Sequence, residues 1–278
     1  MRWPAMRWTI EHAAGHPMMV RRWGSDPAEG SEDHPEDGGS GEGSEEIVWI
    51  HGLGEQSESL VPAAAHPALA GFSHTLIDLP GYGRSPWPDA PDDLAVLAAR
   101  IASWIGDRRP VVIGHSMGGV LATLVAELTA VRAVIDVDGN LSRGDCNFSG
   151  QAAALSRDDF VTHGMAALRA QIYDAGRDDL AQRGYHAALM LACPAVFHHQ
   201  ACQLVALSES ETLAARLAAL RAPALFIAGV PDGVCARSRE LLDRHGVRWI
   251  GIAPAGHAVH LDQPDRFATD VAGFLAGQ

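Results

Sequence analysis

The stretch that most constrains this chain is Val111-Val112-Ile113-Gly114-His115-Ser116-Met117-Gly118-Gly119-Val120. An apolar run ends in Gly-x-Ser-x-Gly and continues as Leu121-Ala122-Thr123-Leu124-Val125-Ala126, which reads as strand, sharp turn, helix. A serine at such a turn is pushed out of the sheet on strained backbone. Gly114 and Gly118 leave room where side chains would collide, and a helix N-terminus lies behind the hydroxyl. Ser116 is therefore the first candidate for a reactive group.

The flanking segments show what the turn is embedded in. Residues 6 to 23 suggest a hairpin bent at Gly15-His16-Pro17, suited to a sheet edge. From Gly24 to Glu46 the chain is Gly, Ser, Glu, Asp and Pro with almost nothing apolar, which predicts a disordered or mobile acidic loop. Ile47-Val48-Trp49-Ile50 is a buried strand running into His51-Gly52-Leu53-Gly54-Glu55. His74 to Leu79 is another, ending at Pro80-Gly81-Tyr82-Gly83-Arg84-Ser85. A helix is expected from about Pro91 to Ile105, and Ala133 to Asp138 is the strand after the serine helix. Residues 141 to about 220 are Ala- and Leu-rich with helical periodicity. Strands return at Ala224 to Gly229 and Val247 to Ile252, before a closing helix from about Pro264 to Leu275.

Strands separated by helices at this rhythm predict an α/β fold, a mostly parallel sheet with helices on both faces. The core takes residues 1–140 and 221–278, with 24–46 as the acidic loop. The 141–220 block interrupts it and sits over the crevice where such sheets bind ligands. Its low charge suggests an apolar pocket.

Much of the net charge of -13 comes from nine carboxylates in the acidic loop. The folded body is thus mildly acidic, which argues against nucleic acid. Cys146, Cys193, Cys202 and Cys235 make no disulfide framework in a chain of 278 residues. The first residues have no apolar signal region, and no segment is apolar enough to span a bilayer. A cytoplasmic protein with no membrane partner is expected; the oligomeric state stays open.

A serine needs a base to take its proton, and the base needs a partner to fix its tautomer. Two strand ends offer these: Gly256-His257 after the last strand and Pro231-Asp232 after the one before it. Links of roughly 2.6 to 3.2 Å are expected, looser in an empty site. Asp138, also at a strand end, is the alternative acid; Asp136, two residues earlier, lies too deep. His260 is the substitute base. His51, His115, Asp78 and Arg84 read as loop supports. Cys193, His198, His199 and Cys202 lack the spacing of a metal site and read as packing.

Taken together, His51-Gly52-Leu53-Gly54, Asp78 to Ser85, Gly114 to Gly119, Gly229 to Asp232 and Gly256-His257 resemble the α/β-hydrolase fold superfamily over residues 47–140 and 222–276. The order Ser116, Asp232, His257 is that of the superfamily's catalytic triad. By position the helical block matches a cap domain. The resemblance implies an oxyanion hole from the backbone N–H groups of Leu53 and Met117, and some members of the fold take their acid from the position of Asp138. The expected activity is a cofactor-independent, metal-free serine hydrolase. It would cleave a small to medium carboxylic ester, thioester or lactone through an acyl-enzyme on Ser116. A carbon-carbon (diketone) hydrolase of the same fold, or a ligand-binding protein with a vestigial triad, are the alternatives.

Overall fold

The computed structural model describes residues 6–24 and 44–278. Among the described residues eight strands form one sheet in the order β1-β2-β4-β3-β5-β6-β7-β8. They are β1 (Arg7–Ala13), β2 (His16–Trp23), β3 (Glu46–Ile50), β4 (Ser73–Asp78), β5 (Val111–His115), β6 (Ala133–Val137), β7 (Ala224–Asp232) and β8 (Trp249–Gly256). The hairpin β1-β2 joins antiparallel along β4, and every other neighbouring pair is parallel.

The hairpin bends at Ala14-Gly15, slightly earlier than the Gly-His-Pro cluster suggests. Both turn residues have positive φ, 48° and 85°, as a two-residue turn between twisted strands requires, so His16 and Pro17 already belong to β2. Residues 25–43 of the acidic stretch lie outside the described residues. At its described end Glu45 pairs with Arg132, and Glu46, the first residue of β3, pairs with Arg108 at 2.9 Å.

The central strands β5 and β6 are buried along their whole length, and alternate residues feed two separate cores. Val112, Val134 and Phe226 pack under the helices Leu94–Ile105 and Met117–Leu128. Val111, Ile113, Ile135 and Ile227 face the other way, against the helix Pro264–Ala276. This two-sided burial explains the continuous apolar runs in the sequence. Each such side chain contributes roughly 1.5 to 3 kcal/mol, which anchors the strand ends that carry the site.

Between β6 and β7 the described chain is helical, including Asn147–Ala153, Met165–Ala175, Leu180–Leu189 and Pro194–Glu209. The helix after β4 starts at Leu94, later than about Pro91. The carboxylate of Asp93, just before it, is bonded to His199 and Gln203 at 2.7 Å each.

Candidate active site

Ser116 sits between β5 and the helix Met117–Leu128 with φ 56° and ψ -122°, a left-handed backbone that a serine rarely adopts. Its N–H donates to Val137 O of β6 at 2.9 Å, tying the turn to the neighbouring strand. The glycines around it are dictated by contact. A Cβ on Gly114 would lie 1.9 Å from Gly118 O, and one on Gly118 would lie 2.1 Å from Ile50 O. Only glycine lets the helix start this close to the sheet.

A cavity of about 390 Å³ opens above this turn, lined by Leu53, Ser116, Asn140, Tyr185, Asp232 and His257 among others. The wall is mainly apolar, in keeping with the expected apolar pocket, but it also carries acidic groups. Beside Phe148 and Leu204 it carries Glu55, Asp145, Asp179, Asp232 and Asp262, and among the described residues its lining holds no Arg or Lys.

The structure corrects the expected partner of His257. His257 Nδ1 bonds to Asp138 Oδ2 at 2.7 Å, not to Asp232. Asp138 is fully buried, and its other oxygen accepts from the N–H groups of Gly229 and Val234 at 3.2 and 3.1 Å. Asp232 is exposed, and its carboxylate makes no hydrogen bond among the described residues. The physical reason is that β7 does not stop at Gly229. It runs on to Asp232, pairing Pro231 with Ala255 and Asp232 with Gly256 after a register shift. Asp232 is thereby carried out along β8 instead of turning back under the imidazole. Asp138 follows β6 directly with φ 52°, a conformation asparagine and aspartate tolerate better than most.

With Nδ1 engaged, Nε2 is the ring nitrogen of His257 left for the cavity. The Ser116 hydroxyl is turned to Asn140 Oδ1, at 3.4 Å, and no hydrogen bond joins it to His257 among the described residues. Asn140 is itself held by its amide on Asp145 O at 2.9 Å. Asn140 is not among the candidates the sequence offers; its place two residues beyond Asp138 is the available signal. Among the described residues, the N–H groups of Leu53 and Met117 have no acceptor. The Leu53 carbonyl accepts from Tyr185 Oη at 2.9 Å, which fixes that turn from the helix Leu180–Leu189.

The supporting groups behave as the residue types suggest. His51 Nε2 accepts from Leu79 N–H at 3.0 Å while Nδ1 donates to Gly52 O at 2.8 Å, and burial pushes its pKa down, so the ring is neutral. Asp78 accepts from the N–H groups of Ser57 and Arg84 at 2.6 and 2.9 Å. Asp136 is buried beneath the turn and bonded to Gly139 N–H at 3.0 Å. Burial raises its pKa to about 8, with Asp138 nearby acting in the same direction. His260 is buried against the rings of His115 and Phe267, and burial lowers it to about 3. It does not line the cavity. His198 points to Leu155 O at 2.9 Å and His199 to Asp93 at 2.7 Å, so the two rings diverge.

The family model described as "Alpha/beta hydrolase family" matches residues 47–271, and the chain belongs to that family. It is 30% identical over 259 residues to a pimeloyl-[acyl-carrier protein] methyl ester esterase of Edwardsiella ictaluri (strain 93-146), covering 86% of this chain and 96% of the relative. It is 26% identical over 254 residues to a 2-succinyl-6-hydroxy-2,4-cyclohexadiene-1-carboxylate synthase of Serratia proteamaculans (strain 568), covering 82% and 92%. A thermophilic esterase from Thermogutta terrifontis superposes with a TM-score of 0.75 at 16% identity, covering 98% of each chain, a likeness of fold. The family and the esterase relative place the chain among hydrolases. No single helix among the described residues is long and apolar enough to cross a membrane.

Proposed function

We propose that this chain is a cofactor-independent serine hydrolase acting on a neutral carboxylic ester, thioester or lactone of small to medium size. The observation that carries the reading is the 2.7 Å bond to buried Asp138 from His257, which lies on the wall of the cavity that also exposes Ser116. In this reading Asp138 holds the imidazole in the tautomer with its proton on Nδ1 and stabilises the imidazolium that forms. Ser116 Oγ leaves Asn140 by rotation about χ1, gives its proton to His257 Nε2 and attacks the carbonyl carbon. The N–H groups of Leu53 and Met117 receive the oxyanion, an interaction of about 3 kcal/mol per donor in the transition state. His257 returns the proton to the leaving alcohol or thiol, and water repeats the sequence on the acyl-enzyme. The helical block 141–220 serves as a cap that supplies Tyr185, Phe148 and Asp179 to the cavity.

The charge of the wall selects the substrate. Five carboxylates and, among the described residues, neither Arg nor Lys line the cavity, and of the five only Glu55 has a cationic partner there, His115. A carboxylate on the substrate about 4 Å from one of them would be repelled by about 1 to 4 kcal/mol, depending on the local dielectric. The esterase relative, whose name specifies a methyl ester, agrees with a neutral reacting end.

The test is a chain-length series of neutral chromogenic esters run beside a hemi-ester of a dicarboxylic acid of matched length, with Ser116→Ala as control. Turnover of the neutral series, lower kcat/KM for the hemi-ester and no turnover by the variant are expected. Full activity in the Ser116→Ala variant would overturn the nucleophile, and preference for the hemi-ester would overturn the charge selection.

A further inference from the structure

Beside the groups assigned above, one carboxylate oxygen reaches across the floor of the cavity. Glu55 Oε2 accepts from Gly52 N–H at 2.7 Å and from His115 Nδ1–H at 2.9 Å. On the far side of the ring, His115 Nε2–H donates to the backbone carbonyl of His257 at 3.0 Å. His115 is 2% exposed and the Glu55 side chain 13%. Three segments are thereby joined: the turn carrying Leu53, the end of β5 beside Ser116, and the turn carrying His257.

Nε2 must donate to the His257 carbonyl, and with Glu55 ionised Nδ1 donates as well, which makes the ring an imidazolium. Burial opposes charge on both partners, yet their mutual attraction and hydrogen bond hold Glu55 at about 2 and His115 at about 9. The groups facing this pair are the ring of His260, 4.6 Å from the His115 ring, the ring of His257 at 4.9 Å, the buried His51 and Tyr185, and the carboxyl groups of Asp138 and Asp136. A buried ion pair is a poor device for stability alone, since apolar residues of similar volume serve as well. What apolar residues lack is directed bonds to two separate loops.

We propose that Glu55 is a positioning residue of this site, acting through Gly52 on the Leu53 N–H and through His115 on the His257 backbone to hold both in line with Ser116. The inference rests on the reading of Ser116 and His257 as nucleophile and base. A misplacement of about 1 Å at such groups costs about 100-fold in rate, and this brace fixes the two segments with one pair of side chains.

The experiment measures kcat, KM, melting temperature and the pH profile of kcat on a neutral ester for wild type, Glu55→Ala, Glu55→Gln and Ser116→Ala. Glu55→Ala is expected to lose at least about 10-fold in kcat with KM within about 2-fold, because the bound ester is still accommodated while the reacting groups drift. Glu55→Gln keeps one oxygen that accepts from both Gly52 N–H and His115 Nδ1–H, but the neutral ring then has no second N–H for the His257 carbonyl, so only part of kcat returns at pH 7. The alkaline limb then distinguishes the two chemistries. Wild type is expected to lose kcat above about pH 9, as His115 gives up one of its two N–H groups. In Glu55→Gln the ring is neutral already and that limb disappears. A Glu55→Ala enzyme with kcat within 2-fold of wild type, or a Glu55→Gln profile that superimposes on wild type at alkaline pH, overturns the proposal. If Glu55→Ala fails to fold, the Glu55→Gln profile decides. Turnover by Ser116→Ala would instead remove the underlying reading, a result independent of either Glu55 variant.

Discussion

His257 and Asp138 meet at 2.7 Å across the end of a strand to which neither belongs. Asp138 follows β6, His257 follows β8, and β7 runs between them. Glycines at the end of β7 make room for the contact. A Cβ on Gly229 would strike Gly256 O at 1.9 Å, and one on Gly233 would lie 2.6 Å from Asp138 Oδ1. The Gly229 N–H meanwhile donates to Asp138.

This relationship sets the first prediction. Asp138→Asn keeps an oxygen for the Gly229 and Val234 N–H groups but loses the charge, and with it control of the imidazole tautomer. A loss of kcat of about 10³ to 10⁴-fold is expected. Asp232→Asn should change kcat on a neutral ester by less than about 3-fold, since its carboxylate bonds to nothing described. Steady-state kinetics of both variants at pH 7 check the assignment, and the reverse ranking would return the role to Asp232.

Ser116→Ala should lower kcat by at least about 10⁴-fold and shift the melting temperature little. A fluorophosphonate probe should label wild type at Ser116 and leave the variant unmodified, as read by intact mass and peptide mapping.

Asp136 gives a prediction in stability instead of rate. Its pKa rises from 3.8 to about 8 on folding, because burial disfavours its charge. Between those values the folded state holds a proton that the unfolded state releases, so this group's contribution to stability falls as pH rises. Asp136→Asn removes that dependence while keeping an acceptor for Gly139 N–H. Relative to wild type the variant should gain on the order of a few kcal/mol between pH 5 and pH 8, measured by urea unfolding at both.

Two glycines should respond differently to alanine. Gly118→Ala drives a methyl group to 2.1 Å from the Ile50 carbonyl, in backbone that cannot yield, and should cost about 3 kcal/mol or more. Gly15→Ala meets open space and carries only the strain of φ 85°, about 1 kcal/mol. Denaturant midpoints of the two variants test the contrast.

The Glu55-His115 pair adds a pH window to the wild type. Glu55 is lowered from 4.5 to about 2 and His115 raised from 6.5 to about 9, burial being opposed in each case by the partner. The pair's stabilisation should be complete between about pH 4.5 and 6.5, lost on the acid side as pH falls through about 2 and on the alkaline side as it rises through about 9. A double-mutant cycle with Glu55→Gln and His115→Gln, measured across pH, reads this coupling directly.

Much of this molecule is written locally. Val111 to Val120 encodes its own strand, turn and helix, because the apolar run, the two glycines and the serine act on one another within ten residues. The parallel sheet follows from Ile47, Val112, Val134 and Leu225 recurring in strands separated by helices. The serine and the histidine were legible for the same reason, each standing next to a strand end with glycine beside it. Asp138 could be named as an alternative but not chosen, since the choice turned on how far β7 extends and where its register shifts against β8. Glu55 and His115 are 60 residues apart in sequence and bond across a cavity floor that exists only once β3, β5 and β8 are aligned. Short-range sterics and periodicity thus determined the elements and the strained turn that presents Ser116. Which carboxylate bonds to the imidazole of His257, and which bonds to Gly52 and His115, was decided by packing between distant strands.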